Sequence, residues 1–213
     1  MQKTNRSVNW GLYGTAFVIS AVIFGVGFWL GVQIEKGVAA EVSNQIGKVR
    51  QNIGSLETLF LLEDSSMFCG SMTFEMDKFD SETFDLGARI GFMEEHKGID
   101  PSLKSEYMSL ELRDYLLVQK INKKCGGNVT TILYFLSSSS CEECRSQGLE
   151  LTKTRESIAA RVYSFDLDIN NSFVNAFAAS LKVTQYPAIV VNNRVYTGFT
   201  PSDSILRAVR GSA

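Results

Sequence analysis

The sequence predicts an α/β domain in the last third of the chain, a mixed sheet with helices on both faces, preceded by a transmembrane helix and an α-helical stalk and hairpin. Three observations carry this reading. An uncharged apolar run lies near the start, apolar positions recur at helical spacing through the middle, and from about Val129 short apolar runs alternate with helical ones. The expected organisation is an anchor over 1–35, a helical stalk and antiparallel hairpin over 36–127, and the α/β domain over 128–213. The chain carries 21 Lys plus Arg against 23 Asp plus Glu. These are scattered among one another and form no basic stripe to neutralise phosphates, so nucleic acid is excluded as a partner.

No charged residue lies between Arg6 and Glu35. As a helix, the apolar part from about Leu12 to Ile34 would span roughly 34 Å, enough for a bilayer core. Trp10 and Tyr13 at one end and Phe28 and Trp29 near the other suit the membrane interfaces. A cleaved signal is the alternative, with Gly37-Val38-Ala39 as its small-residue site. Its apolar region would be only about 7 to 15 residues long, which favours the anchor. Lys3, Arg6 and the terminal amine place the N-terminus inside and the rest of the chain outside the cytoplasm. Four cysteines agree with an oxidising exterior.

Ala39, Val42, Ile46, Val49, Ile53, Leu56 and Phe60 recur at steps of three and four, the pattern of an amphipathic helix. It either packs on its own chain or forms an intermolecular coiled coil. Small residues at Gly27 and Gly31, and at Ala21 and Gly25, would also let two membrane helices approach, so a homodimer through the span or the stalk is an expectation. A second stripe runs through Cys69, Met72, Met76, Phe79, Leu86, Ile90 and Met93 and stops at Lys97-Gly98. Asp100 as N-cap and Pro101 at the first helical position open a third helix, with Leu103, Tyr107, Leu110, Leu117 and Ile121 on one side and Gly126-Gly127 at its end. The short break makes these two helices antiparallel neighbours. Cys69 and Cys125 are nearly equidistant from the turn, so they are expected to meet as a structural disulfide. Two free buried thiols, or a relay pair, are the alternatives.

The remaining elements read as strand 131–136, helix 144–158, strand 162–167, helix 172–181, a hairpin of 188–191 with 194–197 about Asn192-Asn193, and a helix 202–209 opened by Thr200-Pro201. Cys141-Glu142-Glu143-Cys144 falls on the first strand-to-helix turn, the context that makes a CxxC pattern specific for redox chemistry. That turn, the strand Tyr163-Ser164-Phe165-Asp166, Tyr186-Pro187 before the third strand and Gly198 before the last helix resemble the thioredoxin superfamily, over about residues 129–213. The resemblance implies a cis peptide before Pro187, packed beside the cysteine pair, and a backbone at Tyr186 free to pair with an extended substrate.

Position then gives each sulfur a role. Cys141, at the positive end of a helix, would attack as thiolate, and Cys144, one turn on and more buried, would resolve the mixed disulfide. Glu142 and Glu143 disfavour a thiolate and so favour the oxidised pair, a comparatively reducing couple, with Arg145 offsetting part of this. The chain departs from the family at Ser137-Ser138-Ser139-Ser140, where an aromatic residue is usual before the first cysteine and where Ser140 reads as an N-cap. It departs again at Phe135, which stands where a buried acid is common, and at the large Tyr186. His96 reads as a solvated helix end, and neither metal nor cofactor is expected. The expected function is a membrane-anchored thiol–disulfide oxidoreductase acting on protein thiols and disulfides with a membrane redox partner. The alternative is a non-catalytic tethered binding module whose CxxC is a stable disulfide.

Overall fold

The computed structural model describes residues 10–61, 65–96 and 98–211. In chain order these form α1 (Trp10–Leu61), α2 (Ser65–His96), α3 (Pro101–Cys125), β1 (Thr130–Leu136), α4 (Cys144–Ser157), β2 (Ala160–Asp166), α5 (Ser172–Ser180), β3 (Ala188–Val191), β4 (Arg194–Thr197) and α6 (Ser202–Arg210). The mixed α/β class is the one the sequence predicts. Compactness divides the chain into two units, Met1–Asn44 and Gln45–Ala213.

Within the first unit Tyr13–Gly31 is long and apolar enough to cross a membrane, and none of it is buried. Its 19 residues would rise about 28 Å as a helix. Trp10, Tyr13, Phe28 and Trp29 are exposed. Lys3 and Arg6, on which the expected orientation rests, lie outside the described residues, as does Lys97 in the expected turn.

In the second unit the apolar seam of the stalk is spent inside the chain. Ile46, Val49, Ile53 and Leu56 are buried, and Leu56 and Phe60 pack with Met72, Met76, Leu117, Val118 and Ile121. Arg113 pairs with Glu57 at 2.7 Å, and Arg50 with Glu106. On α2 the predicted stripe from Met72 to Met93 is buried. Asp100 caps α3 as predicted, its carboxylate accepting from the Ser102 amide at 2.8 Å, and Gly126 ends the helix at φ 64°. Cys69 and Cys125 are joined by a disulfide.

The strand order is β2-β1-β3-β4, with β1 parallel to β2 and antiparallel to β3, and β3 antiparallel to β4. Asn192 and Asn193 both have positive φ, 51° and 62°, as a two-residue hairpin turn requires. One sheet face, with Leu133, Phe135, Tyr163 and Phe165, packs on Met108 and Leu112 of α3 and Val174 and Ala178 of α5. The other face, with Ile132, Tyr134, Ile189 and Val191, packs on Leu151 of α4 and Ile205 of α6.

The expected boundary between residues 127 and 128 falls inside the second unit. The physical reason is α3, which is buried on more than one side. Its Leu117, Val118 and Ile121 face the helices, and its Met108 and Leu112 face the sheet. It also carries buried Lys104, Glu111 and Asp114. These polar groups serve the free edge of β2, which has a strand neighbour on one side only. The Ser164 amide donates to Glu111 Oε2 at 2.9 Å, and the Asp166 amide to Met108 Sδ at 3.2 Å. Lys104 reaches the buried Asp166 carboxylate and Glu94. From α2 the Met76 carbonyl accepts from Arg161 at 2.6 Å, and Asp80 pairs with Arg155 at 2.7 Å.

Two predictions follow from this packing. Burial pushes the Glu111 carboxyl up to about 8, despite the bonds from Tyr107 and Ser164, and pushes Asp114 up to about 6 against the pull of Tyr163 and Arg161. A carboxyl whose folded pKa is raised stabilises fully below its unfolded pKa and loses that contribution as pH rises through the folded value. The melting temperature should therefore fall by roughly 5–10 °C between about pH 5 and about pH 8. Glu111→Gln, neutral at every pH, should flatten that slope in thermal melts. A slope unchanged in Glu111→Gln would assign the pH dependence elsewhere. Replacing Cys69 and Cys125 together by Ser should cost about 4 kcal/mol in the chain-entropy estimate for a loop of this length. Denaturant titration should register that loss while Cys141 and Cys144 still oxidise and reduce.

Candidate functional site

The site is built where β1 ends. After Leu136 the chain turns through four serines, and the acceptor that holds them is Asp168, beyond the end of β2. Its carboxylate accepts from the Ser139 amide at 2.7 Å, from Ser137 Oγ at 2.9 Å and from Ser138 Oγ at 3.4 Å. Burial pushes the Asp168 carboxyl up, but the bonds from Ser139, Ser137 and Ser138 outweigh it and hold it below the ordinary carboxylate range. Asp166 adds a bond from the Ser138 amide at 3.3 Å. Ser137 Oγ in turn lies 2.6 Å from Ser140 Oγ and accepts from the Ser140 amide at 3.1 Å. Ser140 is therefore engaged inside the loop and does not cap a helix. Helix α4 starts at Cys144, with Glu143 in the N-cap position and no side-chain cap bond.

Cys141 and Cys144 are joined as a disulfide across the turn before α4, and the Cys144 amide donates to the Cys141 carbonyl at 3.4 Å. Cys141 is half-buried and Cys144 is only 5% exposed. Tyr134 Oη donates to the Cys144 carbonyl at 2.7 Å, which ties the first turn of α4 to the sheet. Burial raises the Tyr134 pKa and keeps that hydroxyl a donor. Gln147, fully buried, clamps the next turn through both amide atoms, donating to the Thr200 carbonyl at 3.0 Å and accepting from the Thr200 amide at 2.7 Å.

Antiparallel pairing brings Tyr186 and Pro187 to the same end of the sheet. Ala188 lies opposite Phe135, so Pro187 sits one step further along, beside the exit of β1. The Tyr186-Pro187 bond is cis. Pro187 is buried and its carbonyl accepts from the Gly198 amide at 2.7 Å, whereas Tyr186 is 38% exposed. Glu142 and Glu143 are exposed on the turn. Arg145 points away to a long pair with Glu95 on α2, at 3.5 Å, with both side chains largely in solvent. Phe135 is fully buried against Phe165 and Phe177, so the position where the family resemblance leads one to look for a buried acid is apolar core.

The second cysteine pair is elsewhere. Cys69 and Cys125 pack with Val129 just before β1, while Cys141 follows its other end. The strand between them spans roughly 20 Å. That separation leaves no direct exchange between the two disulfides in this arrangement. His96 is exposed, stacked on Phe92 at a centroid distance of 4.2 Å. Among the described residues no cluster of three or more His, Cys, Asp or Glu could hold a metal ion. Sequence reasoning missed Asp168, Tyr134 and Gln147. The signal for the first was present, since Asp166-Leu167-Asp168 at a strand end is a ready acceptor for a serine-rich turn.

No family model matches the chain, and no curated protein matches it. Among solved structures it is similar to a malarial protein, at 23% identity over 39% of this chain and 97% of the other, with a TM-score of 0.34. It is also similar to thioredoxin-2, a component of the malaria parasite's protein secretion machinery, at 24% identity over 39% of this chain and 84% of the other, with a TM-score of 0.34. A third likeness is to chloroplastic thioredoxin z, at 22% identity over 44% of this chain and 87% of the other, again with a TM-score of 0.34.

Because the Asp168 carboxylate accepts from Ser137, Ser138 and Ser139, Asp168→Ala should loosen the serine turn. Amide exchange at Ser139 and Ser140 should accelerate by roughly tenfold or more, the loss of a hydrogen bond of about 1.5 kcal/mol. Exchange in β1 should not change. Equal protection of the serine amides in the variant would show that another group holds the loop.

Proposed function

We propose that this chain is a membrane-anchored thiol–disulfide oxidoreductase whose working sulfurs are Cys141 and Cys144. The observation that carries the reading is one bonded cysteine pair on a fixed strand-to-helix turn, its first sulfur-bearing residue half-exposed and its second buried. Tyr186 and Pro187 lie at the same sheet end and offer a surface for an extended protein substrate. In the reduced enzyme the Cys141 thiolate, favoured by the positive end of the α4 dipole, attacks a substrate disulfide and expels one substrate thiolate. Cys144, deprotonated, then attacks the Cys141 sulfur of the mixed disulfide and expels the second. The pair ends oxidised by two electrons and the substrate dithiol reduced; oxidation of a substrate runs the same steps backward. Sulfur carries the electrons, so no cofactor enters.

Glu142 and Glu143 act on this couple as negative charges next to the thiolate, and they hold it toward the oxidised form. Arg145, engaged by Glu95 in solvent, offsets little of that. The apolar stretch Tyr13–Gly31 supports the anchor. The N-terminus then lies in the cytoplasm and the cysteines outside it, where a membrane redox partner would regenerate the pair. The small-residue spacing of Gly27 and Gly31 supports a homodimer through the span. One observation favours the non-catalytic reading, a tethered module that binds an extended partner. Phe135 offers no carboxyl to take the Cys144 proton.

One experiment tests both readings. Cys144→Ser leaves Cys141 able to attack but unable to be released, so disulfide-linked partner proteins should accumulate, and Cys141→Ser added on top should abolish them. Exported proteins among the adducts support the orientation, and cytosolic ones would reverse it. Should Cys144→Ser trap no more than the wild-type chain, the binding module would be the better description.

A further inference from the structure

Three places in the chain read Asn-x-Ser or Asn-x-Thr, namely Asn5-Arg6-Ser7, Asn128-Val129-Thr130 and Asn170-Asn171-Ser172. Such triplets, with any residue but proline in the middle, are the acceptors for sugar chains added to asparagine outside the cytoplasm. They arise by chance as well, so position has to decide. The first lies before the apolar span Tyr13–Gly31 and the other two lie after it. All four cysteines, which also follow the span, are paired as disulfides, the state an oxidising exterior favours.

The structure separates these two acceptors from asparagines that the fold uses. Asn122 donates to the Val129 carbonyl at 2.9 Å and accepts from its amide at 3.2 Å. Asn171 caps α5 by accepting from the Val174 amide at 3.1 Å while it donates to Ser105 and Ser109, and Asn192 donates to the Ala208 carbonyl. Asn128 and Asn170 are exposed, and neither side chain has a partner among the described residues. The hydroxyls of Thr130 and Ser172, which a transferring enzyme must also engage, are equally unspent. Both acceptors stand in connections, Asn128 between α3 and β1 and Asn170 between β2 and α5, where added bulk displaces no packing. Asn128 lines an open polar groove of about 680 Å³ with Tyr115, Gln119 and Asn193, so ring and amide surface lies beside it. Asn170 is two residues beyond Asp168, at the sheet end that carries the cysteine turn.

We propose that Asn128 and Asn170 carry N-linked sugar chains. Each amide nitrogen takes the anomeric carbon of a sugar held on a lipid phosphate in the membrane. A C–N bond forms as the bond from that carbon to the phosphate oxygen breaks, and the amide proton leaves with the lipid phosphate, so no oxidant is needed. This rests on the outward orientation given above and not on catalysis by the cysteines. The sugar on Asn170 stands beside the cysteine turn and flanks a substrate's approach. That on Asn128 lies at the far end of β1, roughly 20 Å away.

The full chain, taken in detergent from the membranes of the cells that make it, would be weighed by intact mass spectrometry. It should exceed the mass of its sequence by two sugar chains. Asn128→Gln and Asn170→Gln should each lose one, and the double variant both. Thr130→Ala should lose the Asn128 sugar with that asparagine intact, and Thr130→Ser should keep it, which is the signature of this transfer. Orientation is read separately, with a maleimide that cannot cross membranes applied to Cys141 in intact, mildly reduced cells. A chain of bare sequence mass whose Cys141 is labelled from outside overturns the sugars and leaves the orientation standing. Bare mass with labelling only after lysis overturns both, as does a sugar chain on Asn5 alone. A mass excess that persists in the double variant places the modification elsewhere and overturns the assignment.

Discussion

The structure depends on how one edge of the sheet is closed. Strand β2 has backbone donors that no strand receives, and the chain answers with side chains on a helix, Glu111 for Ser164 and Met108 for Asp166. To reach them α3 must lie along the sheet rather than stand off it. That requirement explains the other buried charges. Lys104 can neutralise Asp166 only from α3, and Asp114 can meet Tyr163 and Arg161 only from the same helix. A buried pair of this kind is costly to break, about 3–5 kcal/mol when one partner is removed. Lys104 therefore fixes α3 against the end of β2.

The same contacts reach the cysteines. Asp166 accepts from the amides of both Ser138 and Asp168, and Asp168 holds the remaining serines. The loop that delivers Cys141 is thus braced from α3 through β2. On the far side Tyr134 and Gln147 fix the first two turns of α4. The pair is placed by hydrogen bonds from both sides of the turn, and Glu142, Glu143 and Tyr186 stay exposed around it.

Periodicity and caps made the elements readable. The stripe from Met72 to Met93 on α2, the Asp100-Pro101 start of α3 and the Asn192-Asn193 hairpin all appear as the residues dictate. The burial of Lys104, Glu111 and Asp114 was not readable, since charged residues opposite an apolar stripe normally mark a solvated face. Only a second layer beyond the helix reverses that reading, and nothing local in the sequence announces a strand edge some 50 residues away, as Glu111 and Ser164 are. The CxxC turn was legible because strand, cysteines and helix are contiguous. Asp168 acts across a crossover, which is why its role was not.

The disulfide between Cys69 and Cys125 closes most of α2, the Gly98 turn and all of α3 into a covalent ring. That ring keeps the two helices lying over the β2 edge from separating at one end. An uncovered strand edge is a template for other chains, so the bond guards solubility as well as stability. In a reducing compartment the helices could peel away by local opening, and β2 would then be available to add a foreign strand. The cysteine pair that takes no part in the proposed chemistry thus holds the cover of that edge in place.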